Sequence, residues 1–228
     1  LTRNVMAKVE KIDEDAKAEN IKSYILRDDD FEKFRQFVAF DFSRIPKLHG
    51  TTKRFHLLNR ERDTAIISLI LGSGLRVSEL VGLNEEDIDM ATNKMTISRK
   101  GGKTSVIYFS HIAKADLQEY LQVRKNKYKQ SKKTSALFLP SPQSVNWTEG
   151  RLTVRAVQKL VEKYAVAFGR PSLSVHKLRH SFATRHAQEN NNIPQLRDQL
   201  GHESIQTTMI YTHIFDDQKK AAVLNADK

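Results

Sequence analysis

The stretch from Asn59 to Leu71 reads as one helix and is the most apolar segment of the chain, which makes it the expected centre of the fold. It stops at Gly72-Ser73-Gly74, a glycine-rich terminator. The apolar run inside it, Ala65 to Leu71, is broken by Ser68 and is far shorter than the roughly 20 residues of a membrane span. Residues 1 to 58, ahead of it, do not read as a secretory leader, and none is expected. The chain begins at Leu1 rather than Met, and it is expected to be a piece of something longer.

The remaining segments are placed around that helix by their periodicity. Asp28-Asp29-Asp30 is an acidic helix start, and Phe31, Phe34, Phe37, Val38 and Phe42 follow at helical spacing, a stripe best read as core packing. Ser78 to Leu83 gives a short helical turn, and Asn84 is a cap for Glu85-Glu86-Asp87. The period then changes. Lys94 to Ser98 and Ser105 to Phe109 read as strands with Gly101-Gly102 between them, a hairpin on a glycine turn. Helices are predicted over Ala113–Tyr128, Val154–Phe168, Lys177–Gln188, Ile193–Leu200, Ser204–Tyr211 and Phe215–Leu224, and Leu137 to Pro140 is a short strand or extended segment. The expected class is mainly α with a small antiparallel β-hairpin or sheet (α+β). Residues 1–22 are polar, with Lys8, Lys11, Lys17 and Lys22 interleaved with acids, and are expected to form a linker or peripheral helix.

Charge narrows the partner. Lys and Arg number 38 against 27 Asp and Glu, a formal charge of +11, which favours a polyanion. No Lys/Arg-rich amphipathic helix with a bulky apolar face stands out, so nucleic acid is preferred to a membrane surface. There is no cysteine, which excludes disulfides and Cys-based zinc sites and fits a reducing cytoplasm.

The chemistry-bearing residues concentrate in the last third. His176, Arg179 and His180 stand at i, i+3 and i+4 and share a helix face. Zinc ligation by such a histidine pair needs Glu directly after the first His as base, and here Lys177 stands there, its charge opposed to a metal. For His180 a hydrogen bond within the core competes with a chemical role. His202 follows Gly201 at a helix break, where a histidine either caps the helix or points into a cleft. Tyr211 is one of six tyrosines but the only one with candidate cations and imidazoles near it in sequence. A phenol of pKa about 10 is a poor nucleophile at neutral pH unless cations stabilise the phenolate. Upstream, Arg76 follows Gly72-x-Gly74, and its guanidinium matches two non-bridging phosphate oxygens, while Glu79 one turn on offers an ordinary ion pair. Lys100 and Lys103 flank the hairpin glycines, from where a lysine could protonate a leaving 5′ oxygen; for Lys103 a phosphate contact is the simpler role. Together these groups are what a protein needs to grip a phosphodiester and attack it with a phenol, without metal or nucleotide.

These words in this order resemble the tyrosine recombinases, the phage-integrase family. Ser73-Gly-Leu-Arg-Val-Ser-Glu-Leu80, His176-Lys-Leu-Arg-His-Ser-Phe-Ala-Thr184, Leu200-Gly-His-x-Ser204 and Tyr211-Thr-His213 match its motifs over about residues 28–228. Arg3-Asn-Val-Met6 and the Arg99-Lys-Gly-Gly-Lys103 hairpin are similar to the single-protein type of bacterial Xer recombinase. The resemblance implies the catalytic-domain fold of that family. It implies Tyr211 as nucleophile forming a 3′-phosphotyrosyl bond, with Arg76 and Arg179 clamping the phosphate and Lys100 protonating the leaving oxygen. His176 would be general acid/base and His202 a phosphate ligand, with Glu79, His180 and Lys103 in support. No cofactor or metal is implied.

Residues 23–214 would be the catalytic domain, 215–228 a tail helix docking protomers in a tetramer on two DNA sites, and a family N-terminal core-binding domain would lie outside this chain. Double-stranded DNA is the implied partner, with a DNA translocase of the FtsK type as regulator, no membrane, and a cytoplasmic, nucleoid-associated setting. Chromosome dimer resolution at a dif-like site is the implied task. Competing readings are an integrase or excisionase of a mobile element, a type IB topoisomerase, and a non-catalytic DNA-binding regulator on the same fold.

Overall fold

The computed structural model describes residues 20–21, 24–27, 29–128, 134–142, 150–190 and 192–211, with Lys100 described by its backbone alone. Helix α1 spans Asp30–Gln36 and runs on through a π-helical turn, Phe37–Asp41, and a 3₁₀ turn, Phe42–Arg44. Phe31, Phe34, Val38 and Phe42 of the expected stripe are buried, and Phe37 packs against them.

The central helix, α2, spans Gly50–Ser73. It therefore begins before the Asn59 expected from the apolar pattern, because Gly50 to Leu58 carry little apolar periodicity and the cap is the unusual His49, whose Nδ1 accepts from Thr51 N at 3.3 Å. Ala65, Ile66, Ile67, Leu69 and Ile70 have no exposed surface, as a helix wrapped on all sides requires. It ends as the glycines predict: Gly74 takes the left-handed conformation at φ 70°, and a Cβ there would collide with the Phe182 ring.

Helix α3 (Val77–Gly82) leads into a 3₁₀ turn, Glu85–Asp87, capped as expected at Asn84, whose N–H donates to Asp87 Oδ2 at 2.8 Å. A three-stranded antiparallel sheet follows in the order β1 (Ile88–Asp89), β2 (Lys94–Ser98), β3 (Thr104–Tyr108). Strand β1 was not expected; two residues are too few to show alternation. Met95 pairs with Ile107, and these two with Ile97 face the core, while Val106 and Tyr108 point outward. The β2–β3 turn uses Gly101 and Gly102 at φ 78° and 73°.

Helices α4 (His111–Lys127), α5 (Val154–Ala167), α6 (Val175–Asn190) and α7 (Ile193–Leu200) complete the order, and residues 206–211 are helical. At the expected strand or extended segment over Leu137–Pro140 the chain bends at 137 and 138, and the neighbouring Ala136 forms an isolated bridge with Asn84 rather than a strand. Helices α4 and α6 pack most extensively on α2. A second, smaller cluster joins Ile21 and Ile25 to Ala183, Ala187, Ile193, Leu196, Leu200 and Tyr211. No helix among the described residues is long and apolar enough to cross a membrane. The expected linker over 1–22, apart from residues 20 and 21, and the expected tail over 215–228 lie outside the described residues.

Candidate active site

The site is built where the end of α2, the start of α3, the face of α6 and the end of α7 converge. Arg76 is the N-cap of α3; its backbone N–H donates to Glu79 Oε2 at 2.8 Å and its Nη1 to Glu79 Oε1 at 2.9 Å. Its Nη2 donates to Gly201 O at 2.9 Å. Arg179, buried on α6, donates from Nη1 to Gly74 O at 2.6 Å and from Nη2 to Leu200 O at 2.7 Å. Its Nη1 lies 3.9 Å from Glu79 Oε2. The two arginines expected to clamp one phosphate, far apart in sequence, thus hold neighbouring carbonyls of one helix end and share one buried carboxylate.

A third guanidinium joins them. Arg99, at the end of β2, donates to Asp198 O at 3.0 Å and Gln199 O at 2.8 Å, with its Nε 3.6 Å from Glu79 Oε1. Four successive carbonyls at the C-terminus of α7, the negative end of its dipole, are therefore held by arginines. Sequence reasoning treated Arg99 only as hairpin wording; its place beside Lys100 was the available signal. Gln199 was missed as well. It accepts from Tyr108 N at 3.2 Å, and its Nε2 donates to Tyr108 O at 2.7 Å and Ser73 O at 2.9 Å, tying β3 to the end of α2.

Burial sets the protonation states. Loss of water, with Arg76 nearby, lowers the Arg179 guanidinium to about 10, still charged at neutral pH. Burial pushes His202 down to about 4, with Arg179 and Arg76 adding to it. His202 Nδ1 meets Thr208 Oγ1 at 3.0 Å, and its Nε2 lies 3.3 Å from Arg179 Nη2, so His202 belongs to the arginine cluster rather than to solvent. His180 is likewise lowered to about 4, by burial and then by His176 and Arg179, and His176 is lowered by burial and both clamp arginines.

Tyr211 is buried, and its phenol is raised above the ordinary value by desolvation, which the Arg179 charge only partly offsets. Its hydroxyl lies 2.7 Å from His180 Nδ1, and His180 Nε2 lies 2.8 Å from His176 Nε2. The two histidines thus meet each other through the nitrogens that a shared metal would need. Among the described residues no group of three or more His, Cys, Asp or Glu is placed to hold a metal ion.

Arg76, Glu79, Arg99, Lys103 and His202 line an open cleft of about 720 Å³, and Arg76 also lines an adjoining one of about 610 Å³ with His176 and Arg179. Lys103 is exposed on the first wall. Lys100 opens the turn between β2 and β3; its side chain lies outside the described residues. Of the residues singled out from the sequence, Arg76, Glu79, Arg179 and His202 form one group, joined by hydrogen bonds and the 3.9 Å Arg179–Glu79 ion pair, and Tyr211, His180 and His176 form a second hydrogen-bonded chain; helix α6 carries Arg179 of the first and both histidines of the second.

The profile of the phage integrase family matches residues 40–218. This chain belongs to the phage integrase family. Among family members it is 36% identical over 227 residues to the tyrosine recombinase XerS of Lactococcus lactis subsp. lactis (strain IL1403), covering 98% of this chain and 62% of that one. It is 38% identical over 225 residues to XerS of Streptococcus gordonii (strain Challis), again covering 62% of the relative. The chain thus spans about 62% of the length of the curated relatives it matches. The XerH site-specific recombinase in a post-cleavage complex with a palindromic difH substrate superposes over 90% of this chain and 54% of that one, with a TM-score of 0.68 and 25% identity. The XerA recombinase shares the fold over 90% of this chain and 64% of that one, with a TM-score of 0.65 and 23% identity. The mainly helical fold with its small antiparallel sheet is therefore that of the integrase-family catalytic domain.

Proposed function

We propose that this chain is the catalytic portion of a site-specific recombinase that cuts and rejoins double-stranded DNA through a 3′-phosphotyrosyl link to Tyr211. The observation that carries this reading is the convergence of Arg76 and Arg179 on neighbouring carbonyls, Gly201 O and Leu200 O, with His202 beside them. Two guanidiniums so fixed suit the non-bridging oxygens of one phosphate and the charge that grows on them in the pentacoordinate transition state. His202 supplies a further phosphate ligand. His176 acts as acid and base, Lys100 protonates the leaving 5′ oxygen, and Glu79 holds the arginines in place while His180 and Lys103 support the ends of the site. The covalent intermediate conserves the bond energy, so strands can be exchanged and resealed by the protein's own residues.

The likeness to XerS supports a dif-like chromosomal site as target and chromosome dimer resolution as the task. In that reading residues 23–214 are the catalytic domain. Residues 215–228 dock protomers in a tetramer on two DNA sites, a translocase of the FtsK type regulates exchange, and the protein works at the nucleoid in the cytoplasm. The deciding experiment incubates the protein and its Tyr211→Phe variant with a nicked suicide duplex carrying the crossover site, recovered by capturing covalent adducts from a random-sequence library. The parent should form an adduct stable in detergent and Tyr211→Phe none; an adduct from Tyr211→Phe would sink the assignment.

A further inference from the structure

We propose that His180 is a catalytic residue: it takes the phenolic proton of Tyr211 directly and passes its own to His176. The inference rests on the reading of Tyr211 as nucleophile. Its basis is a chain of two short contacts, Tyr211 Oη to His180 Nδ1 at 2.7 Å and His180 Nε2 to His176 Nε2 at 2.8 Å. The nitrogen that meets the phenol belongs to His180, so His176, the i−4 residue on the same face of α6, is one step removed from the oxygen that must be deprotonated.

The relay requires one assignment of the hydrogens along this chain. A neutral imidazole has one donor and one acceptor nitrogen. Both histidines are held neutral by burial and by the Arg179 charge beside them. With the phenol as donor, as proton removal requires, His180 Nδ1 accepts and His180 carries its hydrogen on Nε2. His176 Nε2 must then accept, which puts the His176 hydrogen on Nδ1. The other groups facing His180 cannot take the proton in its place: Arg179 is a donor only, His202 is turned to Thr208 and Arg179, and Tyr24 presents its ring to His180 with centroids 6.1 Å apart.

The step balances. The Tyr211 O–H bond breaks as an N–H bond forms at His180 Nδ1, while the His180 Nε2 hydrogen moves to His176 Nε2. His180 ends neutral in its other tautomer and His176 ends as imidazolium. The phenolate oxygen forms its bond to phosphorus and the bond to the 5′ oxygen breaks, that oxygen keeping the electron pair and taking a proton from the acid on its own side. Rejoining runs the same relay backwards. The relay delivers the new positive charge to His176, the more exposed of the two imidazoles, rather than leaving it on the one touching the nucleophile.

The test separates the two ends of the reaction. The whole protein and its His180→Gln and Lys100→Ala variants react in single turnover with nicked suicide duplexes carrying either an ordinary 5′ oxygen or a bridging sulfur at the scissile phosphate. The sulfur leaves without a proton. His180→Gln should slow adduct formation by about 100-fold on both duplexes, within the range of a general-base contribution, while the Lys100→Ala defect should shrink with sulfur. A His180→Gln rate within about threefold of the parent, a rate above it, or rescue by sulfur overturns the relay. If Tyr211→Phe forms adduct, the recombinase reading itself fails; if Tyr211→Phe is inert and His180→Gln reacts normally, the relay alone fails. Nitrogen-15 NMR of the unmodified protein gives an answer independent of any variant: His180 should be protonated on Nε2 and His176 on Nδ1, and the opposite tautomers overturn the proposal.

Discussion

Glu79→Gln is the sharpest perturbation of the arginine cluster. Glutamine has the size of glutamate but keeps only one carbonyl acceptor, so packing survives while the charge and one of the two hydrogen bonds from Arg76 are removed. The Glu79 side chain is 4% exposed and stands between three guanidiniums, at 2.9 Å from Arg76, 3.6 Å from Arg99 and 3.9 Å from Arg179. Unit charges about 4 Å apart interact by roughly 4 kcal/mol at an effective dielectric of about 20. The pair with Arg76 counts for less, since that side chain is 39% exposed and its charge is screened towards the ~1 kcal/mol of a surface ion pair. The pair with Arg179 is buried on both sides and Arg99 is partly buried; removing one partner of a buried pair costs about 3–5 kcal/mol. That range is the expected loss of stability. With a urea slope of about 2 kcal/mol per molar, the unfolding midpoint should fall by roughly 2 M. Sulfate, a stand-in for the DNA phosphate, should then raise the melting temperature of Glu79→Gln more than that of the parent at matched ionic strength, because the anion replaces the missing charge. A loss below about 1 kcal/mol, or parallel sulfate titrations, would refute the assignment of Glu79 as internal counterion.

Two further outcomes follow from buried groups. His56 Nδ1 meets the Tyr164 hydroxyl at 2.9 Å, that hydroxyl donates to Asp63 at 2.7 Å, and His56 Nε2 is buried without a partner; burial lowers its pKa to about 4. The unfolded chain, near 6.5, binds the extra proton first, so stability present above about pH 6.5 is lost as pH falls towards about 4, by about 3 kcal/mol in all; His56→Leu should flatten the fall in urea midpoint between pH 7 and pH 5, and an unchanged slope would contradict it. Gly74→Ala forces a Cβ into the left-handed conformation and against Phe182 and Leu200, beside the carbonyl that holds Arg179. Strain and overpacking together should cost roughly 2–4 kcal/mol and reduce adduct yield, measured by thermal melt and suicide substrate; a parent-like melt would show that the turn relaxes freely.

The parts of the molecule legible in the sequence are those that local chemistry dictates. The glycine stop after α2, the Asn84 cap, the β2–β3 hairpin and the spacing of His176, Arg179 and His180 on one face all follow from propensity and period. The Arg76–Glu79 pair follows from their i, i+3 placement. What stayed hidden depends on backbone groups brought from afar. Arg99 and Gln199 act on main-chain carbonyls and amides, which carry no residue type to read. Helical period put two histidines on one face but could not say that their Nε2 atoms would meet or that His180 would turn its other nitrogen to Tyr211. The early start of α2 was missed because surface turns of a helix need no apolar stripe.

The small cluster that buries Tyr211 also contains Ile21 and Ile25, from the opposite end of the described chain. The first described turn and the last one therefore lean on the same few methyl groups, and the described chain closes on itself like a clasp. Tension applied where the chain enters would reach the phenol ring through one layer of side chains, without passing through the main core at all.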